Sequence, residues 1–160
     1  SLIHNLKASN IKSDAIDIDF GKLKFDNIYC ENVFNDCLDV SGSHVEGHNL
    51  VANKVLDKGL SFGENSVGTI SKTSFKNNKL GVAVKDGSKL KLIDSQLIDN
   101  DFDIAVFNKK KEYEGSILTL NRINNLNQLN IFLGNKNKII SNSAQNIDKV
   151  KNSYINNLFY

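Results

Sequence analysis

Residues 15–18 read Ala-Ile-Asp-Ile, and related segments begin at positions 37, 59, 81 and 103, so they return along the chain at a constant interval. The copies are Cys37-Leu38-Asp39-Val40, Gly59-Leu60-Ser61-Phe62, Gly81-Val82-Ala83-Val84 and Asp103-Ile104-Ala105-Val106, followed after a longer interval by Asn130-Ile131-Phe132-Leu133. A short repeat of constant length is typical of a solenoid, in which each turn buries its apolar side chains against the neighbouring turns. The sequence therefore predicts one coil of stacked, similar turns.

Apolar residues alternate with other residues inside every copy, as Ile16 and Ile18 do in the first one. Alternation with a period of two indicates a β-strand that buries one face. Further apolar positions between the copies predict two more short strands in each turn. We therefore predict an all-β fold, a right-handed parallel β-helix with about 22 residues per turn. Residues 16, 38, 60, 82, 104 and 131 are predicted to form one buried column.

Two details of the spacing concern the turns between strands. Asn5, Asn27 and Asn49 repeat with the period of the strands, and asparagine tolerates the left-handed backbone of tight corners. Farther along, the apolar pairs at 70 with 75 and at 92 with 97 stand two residues earlier than the preceding turns would place them. This offset predicts one turn of variable length, after which the repeated strand regains its register.

The end of the chain departs from the repeat. Residues 146–160 place on one helical face the side chains of Ile147, Val150, Tyr154, Ile155 and Leu158. This spacing indicates an amphipathic helix, and we expect it to cap the open end of the coil. The expected organisation is a β-helix over residues 1–145 and a C-terminal cap over residues 146–160. Because the chain starts inside the repeat pattern and contains no methionine, we also expect it to be part of a longer protein.

The charge balance argues against a nucleic-acid partner. The chain has 20 basic and 18 acidic side chains, a formal net charge of +2, and a single arginine, Arg122. Proteins that bind nucleic acids usually present a strongly basic surface. There is also no run of about 18 apolar residues, so no membrane-spanning segment is predicted.

Two groups of potential metal ligands have simpler interpretations. Cys30 and Cys37 occupy positions at which other turns carry alanine or glycine, so we interpret them as small packing residues rather than as a disulfide or metal pair. They leave the cellular compartment open. His4, Asp26 and His48 form another column with the same period, and we interpret them as exposed side chains. No metal site is predicted from either group.

Four segments lie in order on successive turns of the predicted coil: Ser13-Asp14-Ala15-Ile16-Asp17, Asn35-Asp36-Cys37-Leu38, Asp57-Lys58-Gly59-Leu60-Ser61-Phe62-Gly63 and Gly81-Val82-Ala83-Val84-Lys85. Their order resembles the Asn-Thr-Asp-Gly, Asp-Asp-Cys, Gly-His-Gly and Arg-Ile-Lys motifs of the polygalacturonase family of glycoside hydrolases. That family belongs to the pectate-lyase-like superfamily of right-handed parallel β-helices. The resemblance covers roughly residues 1–140.

The resemblance implies roles for particular residues. It assigns general acid and general base roles to Asp14 and Asp36, and it assigns the binding of a sugar carboxylate to Lys85. Where that family carries aspartate, histidine and arginine, this chain has Asn35, Lys58 and Ala83. We therefore expect binding without catalysis as the leading function.

A second resemblance concerns the location of the protein. Residues 57–64, 85–88 and 110–113 look like segments of large bacterial β-helix proteins that are associated with surfaces or polysaccharides. This implies an extracellular or cell-surface location. It also implies a polysaccharide or another protein chain as the partner.

The outward positions of the repeated strand carry unusually small side chains. They form three columns, which are Ala15, Cys37, Gly59 and Gly81; Asp17, Asp39, Ser61, Ala83, Ala105 and Phe132; and Asp19, Ser41, Gly63, Lys85 and Phe107. A surface strand normally carries long polar side chains. A bare face therefore predicts close contact with a polysaccharide, a loop or a partner chain, with simple packing under a turn as the alternative.

Stacked carboxylates stand beside this bare face. Asp14 lies one turn from Asp36, and Asp17 one turn from Asp39, which separates each pair by about 5 Å. Such a separation suits the acid and nucleophile of a retaining glycosidase, a calcium ion, or a solvated acidic strip partly neutralised by Lys58. Our catalytic candidates are Asp14, Asp36 and Asp39. We expect no cofactor, with calcium as the alternative.

The insertion at residues 108–115 is predicted to form the wall of a binding face. Long turns of regular solenoids often carry binding specificity, and this one contains Lys110 and Tyr113. Nearby aromatic rings could stack on sugars, while ammonium groups could bind an acidic glycan. The predicted ligand-binding residues are Asp17, Lys58, Lys85, Phe107, Lys110, Tyr113 and Phe132. The alternative is a solvated loop.

Three functions remain open from the sequence. The first is a non-catalytic carbohydrate-binding or surface-structural β-helix domain. The second is a glycoside hydrolase or lyase that acts on an acidic polysaccharide. The third is an assembly module whose bare face contacts another chain. Paired carboxylates in an open groove would favour the second, and a buried bare face would favour the third.

Overall fold

The computed structural model describes residues 1–142, which form a parallel β-helix of about six turns. In chain order the strands are β1 (Leu2–Ile11), β2 (Ile16–Asp19), β3 (Lys22–Val33), β4 (Leu38–Ser41), β5 (His44–Val55), β6 (Lys58–Gly63), β7 (Val67–Lys76), β8 (Leu80–Lys85), β9 (Lys89–Ile98), β10 (Phe102–Phe107), β11 (Ile117–Ile123), β12 (Ile131–Leu133) and β13 (Lys138–Ser141). A 3₁₀ turn at Leu126–Gln128 precedes β12.

The strands form two parallel sheets that enclose the core. The long sheet has the order β1-β3-β5-β7-β9-β11-β13, and the short sheet has the order β2-β4-β6-β8-β10-β12. Each turn of the coil thus contributes one strand to each sheet. The repeated segments found in the sequence are the strands of the short sheet.

The predicted buried column is confirmed by the register of the short sheet. The paired residues along the column are Ile16, Leu38, Leu60, Val82, Ile104 and Ile131. From Leu38 onward these side chains are buried in one continuous core, whereas Ile16 in the first turn is only partly buried. The repeat period therefore specified both the strands and their stacking.

The two further strands predicted in each turn are joined into one long, bent strand. Asn5, Asn27 and Asn49 have positive φ angles of 55°, 61° and 60°, so each marks a left-handed corner inside a strand of the long sheet. The Asn27 Nδ2 group donates to Asn5 Oδ1 at 2.8 Å, and Asn49 Nδ2 donates to Asn27 Oδ1 at 2.7 Å. This amide ladder holds the corners in line without ending the sheet.

The predicted offset of two residues is wrong, because Ile70 does not occupy the position of Leu50, and the register shifts by one residue in the opposite direction. Gly47 pairs with Ile70, which is 23 positions later, and the spacing returns to 22 between Ile70 and Leu92. The extra residue lies in the turn between β6 and β7. A Cβ atom on Gly47 would lie 2.1 Å from the Phe25 ring, so the glycine makes room for that ring in the column.

The interpretation of the cysteines as simple packing residues is also wrong. Cys30 and Cys37 form a disulfide, and both are fully buried. The bond joins the end of β3 to the corner before β4. The first outward column of the sequence prediction consequently points inward, as Gly59 also shows, since a Cβ atom there would lie 3.2 Å from Ala52 Cβ. These small residues are corner residues packed against the core.

Two expectations concern features beyond these strands. Within the described residues no helix is long and apolar enough to cross a membrane. The predicted capping helix at 146–160 lies outside the described residues.

Candidate functional site

The candidate site lies on the outer face, which we define as the outward side of the short sheet. One outward column runs through Asp17, Asp39, Ser61, Ala83, Ala105 and Phe132, and the next runs through Asp19, Ser41, Gly63, Lys85 and Phe107. Its first two turns, on β2 and β4, are acidic and partly exposed, and we call them the upper half. Its last three turns, on β8, β10 and β12, carry alanine and phenylalanine and are largely buried, and we call them the lower half.

The side-chain carboxylates of Asp14 and Asp36 accept hydrogen bonds from backbone N–H groups. The Asp36 N–H donates to Asp14 Oδ1 at 2.8 Å, and the Lys58 N–H donates to Asp36 Oδ1 at 3.0 Å. Each carboxylate therefore holds the start of the next turn in place. A carboxylate that satisfies a backbone N–H serves the fold directly, because an unpaired buried N–H would be destabilising.

Lys58 occupies the position directly below Asp36. Its Nζ atom lies 2.6 Å from Asp57 Oδ2 and 3.3 Å from Asp36 Oδ1, and the Asp36 residue is only 3% exposed. Burial raises the pKa of Asp36 to about 6, although the Lys58 ammonium acts in the opposite direction. Burial also lowers the pKa of Lys58, but Asp36 and Asp57 outweigh that effect, so its pKa lies above the usual value.

Two buried oxygens belong to paired residues at the place where the acidic turns meet the apolar ones. Asp39 and Ser61 pair in the ladder, and neither Asp39 Oδ1 nor Ser61 Oγ has a hydrogen-bond partner within the part of the chain that the structure describes. Lys85 lies over Gly63, where an added Cβ atom would lie 2.9 Å from Lys85 Cε. Burial lowers the pKa of Lys85, and Asp39 opposes this shift.

Asp17 lies at the exposed end of the outer face. Partial desolvation raises its pKa, and the neighbouring carboxylates Asp19, Asp39 and Asp14 raise it further. The upper half is therefore a region of negative potential. Such a surface favours cationic or neutral groups over uronates.

The insertion at residues 108–115 folds back against the turns that follow β6 and β8. The backbone N–H groups of Lys109 and Lys110 both donate to Asp86 Oδ1, at 2.7 and 2.8 Å. The Lys110 Nζ atom lies 2.6 Å from Glu64 Oε1, and the Tyr113 N–H donates to the carbonyl of Lys110. The Lys110 ammonium is thus already engaged by a carboxylate of the chain.

The aromatic candidates lie in the lower half. The ring centroids of Phe107 and Phe132 are 6.5 Å apart and the rings are tilted by 57°. Phe107 is buried in an apolar cluster with Leu80, Ala83 and Ala105. These rings are placed for apolar packing and lie apart from the exposed carboxylates.

The potential metal ligands do not come together in a ligand set. Among residues 1–142 no group of three or more histidine, cysteine, aspartate or glutamate side chains could hold a metal ion. His4 Nδ1 lies 3.5 Å from Asp26 Oδ2, and His48 Nδ1 lies 3.1 Å from Ser71 Oγ, so these side chains engage single neighbours. Calcium at the stacked aspartates stays a prediction.

The structure thus divides the predicted site. It brings Asp14, Asp36 and Lys58 into one hydrogen-bonded group, and it places Lys110 with Glu64 in another. Sequence reasoning missed Asp57, which engages Lys58, and Asp86, which is buried and anchors the insertion. The Asp-Gly pair at 86–87 marks a tight turn and was the available signal for the second of these.

No protein-family model matches the chain, and searches of curated proteins and of solved structures found no match either.

Proposed function

We propose that this chain is a non-catalytic β-helix domain with a surface-structural and carbohydrate-binding role. The observation that supports this most directly is the use of Asp14 and Asp36 as acceptors for backbone N–H groups of the next turn. A general acid must reach the bond it protonates. Asp36 is instead buried, and Lys58 of the following turn engages its carboxylate.

The surroundings of the carboxylates point the same way. A glycosidase needs its two carboxylates in an open groove around the sugar. At this site Asp36 is buried, and both Asp14 and Asp36 accept backbone N–H groups of the next turn. The polygalacturonase-like order of motifs is therefore better explained by the shared needs of a parallel coil.

The upper half of the outer face is the proposed carbohydrate surface. Asp17 and Asp19 are exposed there, and the ring of Phe20, which is 78% exposed, lies over Gly42 at the adjacent corner. Aromatic rings stack on sugar faces, and carboxylates accept hydrogen bonds from hydroxyl groups. The negative potential favours neutral or amino sugars over acidic polysaccharides.

The disulfide supports an extracellular location. Disulfides persist in oxidising compartments and are rare in the cytosol. The Cys30–Cys37 bond lies in the core, where both cysteines are fully buried. We therefore propose a secreted or surface-exposed protein, in agreement with the expectation from the sequence resemblance.

The test combines a glycan array with a reducing-sugar assay. We expect binding to neutral or amino glycans, loss of that binding in the Asp17→Asn/Phe20→Ser variant, and no turnover of any glycan. The control is Lys91→Gln, which changes an exposed residue of the long sheet. Robust turnover of a polyuronide that Asp36→Asn abolishes would instead establish the enzyme.

A second candidate function, assembly, is favoured by exposed apolar side chains at the corner before the short sheet. Phe34 is 61% exposed and Leu56 is 56% exposed, and they occupy equivalent positions of successive turns. Exposed apolar pairs of this kind often mark contact with another chain. Sedimentation over a range of concentrations tests this role, because Phe34→Ser should then dissociate the assembly.

A further inference from the structure

The outward side of the long sheet carries a column of side chains that contains lysine and histidine but no acidic residue. Strand pairing places its members in the order Lys22, His44, Val67, Lys89, Ile117 and Lys138. All of them are exposed except Ile117, which is partly buried. We call this column the basic strip. Because neighbouring strands lie about 4.8 Å apart, the strip extends about 24 Å along the coil.

The lysines of the basic strip are not neutralised by carboxylates. Within residues 1–142 no ion pair engages the ammonium groups of Lys22, Lys89 and Lys138. The adjacent outward column runs through Lys24, Glu46, Thr69, Lys91, Thr119 and Ile140. Its one carboxylate, on Glu46, is held by Lys24 at 2.9 Å. The strip therefore presents positive charge that is available to a ligand.

The two sheets present opposite charges to the solvent. The upper half of the outer face, on the short sheet, carries the exposed carboxylates of Asp17 and Asp19. The basic strip, on the long sheet, carries three exposed lysines instead. An anionic polymer is repelled by the first surface and attracted by the second.

We propose that the basic strip binds a linear polysaccharide whose sugars carry carboxylate groups, with the polymer lying along the coil. This site goes beyond the proposed function. It lies on the other sheet, and it takes an acidic glycan rather than a neutral or amino glycan.

The spacing of the lysines suits a polymer rather than a small anion. Lys22 and Lys89 are three strand spacings apart, about 14 Å, and Lys89 and Lys138 are two spacings apart, about 10 Å. These distances are too long for two ammonium groups to share one carboxylate. A chain of sugars with a carboxylate at intervals can instead contact each lysine in turn.

The residues between the lysines favour sugars over other polyanions. Val67, which is 43% exposed, and Ile117 separate the charged positions with apolar side chains. Sugar rings have apolar C–H faces that can cover these side chains, whereas polyphosphate has none. Proteins that bind single-stranded nucleic acids stack the bases on aromatic rings, and the strip has no aromatic residue.

The test begins with two matched polymers. Alginate is a polymer of uronic acids, and its propylene glycol ester has the same sugars with the carboxylates neutralised. We expect calorimetry to show binding of alginate and no binding of the ester. The affinity for alginate should fall as the salt concentration rises, because salt screens the lysines and binding releases counterions.

Substitutions then locate the site. Lys22→Gln/Lys89→Gln should weaken alginate binding at least about tenfold, because it removes two of the three ammonium groups. The control is Lys12→Gln/Lys76→Gln, which changes the net charge equally at exposed positions outside the strip and should leave the affinity unchanged. Val67→Glu should also weaken binding, because it places a carboxylate between the lysines without removing either one.

Three results would overturn the proposal. The first is the absence of alginate binding at low salt. The second is an equal loss of affinity in the two lysine pairs, which would mean that net charge and not the strip attracts the polymer. The third is binding of polyphosphate as tight as that of alginate, which would show a surface with no preference for sugars.

Discussion

The two halves of the outer face share one backbone and differ in almost everything else. Asp17 and Ala105 occupy the same outward column, in turns one and five, yet the carboxylate is exposed and the methyl group is fully buried. The inward residues of those two turns, Ile16 and Ile104, are both isoleucine. In a solenoid the inward side chains set the coil, so the outward ones are free to specialise turn by turn.

The boundary between the halves contains the buried ion pair of Asp36 and Lys58. Asp36, Lys58 and Ser61 lie in turns two and three, at the transition from exposed to covered surface. Each charge there is paired, since Lys58 contacts both Asp36 and Asp57.

The largest effect should come from the core beneath the boundary. Leu60 is fully buried, so Leu60→Ala should reduce the free energy of unfolding by about 4 kcal/mol through the cavity it leaves. Ile16→Ala in the first turn should cost clearly less, because Ile16 is only partly buried. Denaturant titrations measure both losses. Equal losses, or a loss below about 1 kcal/mol for Leu60→Ala, would contradict the burial gradient.

Removal of the buried ammonium should have the next largest effect. Lys58→Met leaves the Asp36 carboxylate buried without its cation, and we expect a loss of about 3 kcal/mol. Combining it with Asp36→Asn should cost less than the sum of the two single changes. The exposed Lys91→Met is the control. Additive losses would mean that the two side chains are not coupled.

The stability of the boundary should also depend on pH. Because the folded-state pKa of Asp36 is raised to about 6, the folded protein holds this proton more tightly than the unfolded chain does. The contribution of Asp36 to stability is therefore largest below its unfolded pKa of about 3.8, falls as pH rises to about 6, and is constant above that. Relative to Asp36→Asn, the wild type should lose on the order of 2–3 kcal/mol across this window.

A carboxyl titration followed by NMR checks this directly. Asp94 is the internal comparison, since a hydrogen bond from Arg122 lowers the pKa of its carboxyl below the usual value. Asp36 should titrate well above Asp94. Titration of both carboxyls in the same low range would show that Asp36 is not desolvated.

The smallest of these effects should come from the disulfide in the second turn. The bond closes a short loop, because Cys30 and Cys37 are seven residues apart, so removing it should cost about 2 kcal/mol. The Cys30→Ala/Cys37→Ala variant is suited to the test, since Ala8 and Ala52 fill the position of Cys30 in neighbouring turns. Reductant should destabilise the wild type to the same extent and leave the variant unchanged.

The architecture was predictable because its signal is local and repeated. Each inward position, such as Leu38 or Leu60, carries the same information as its neighbours one period away, so the period alone gives strand, register and core. The repeat period did not predict features in which a small residue of one turn makes room for a large side chain of another turn. The register shift by one, with Gly47 receiving the Phe25 ring, depends on the volumes of side chains from different turns.

The site was less predictable because its properties depend on what covers each residue. Asp17 and Asp36 look alike in the sequence, yet Asp17 is exposed, whereas Asp36 is buried and has a pKa of about 6. The stacking of Asp14 with Asp36 was visible in the spacing, but their hydrogen bonds to backbone N–H groups were not. The sequence indicated the aspartates and the neutralising Lys58, but it did not indicate Asp57 as the second partner of Lys58.

The amino-acid sequence is enough to predict the parallel coil, its period of about 22 residues and the inward column from Ile16 to Ile131, because burial repeats with the same period as the strands. Three further features are evident only in the folded chain: Cys30 reaches Cys37 inside a corner, Asp57 and Asp36 share Lys58, and the lower half of the outer face is buried. These features arise between residues on different elements, where distance and solvent exclusion are set by packing that no local pattern encodes.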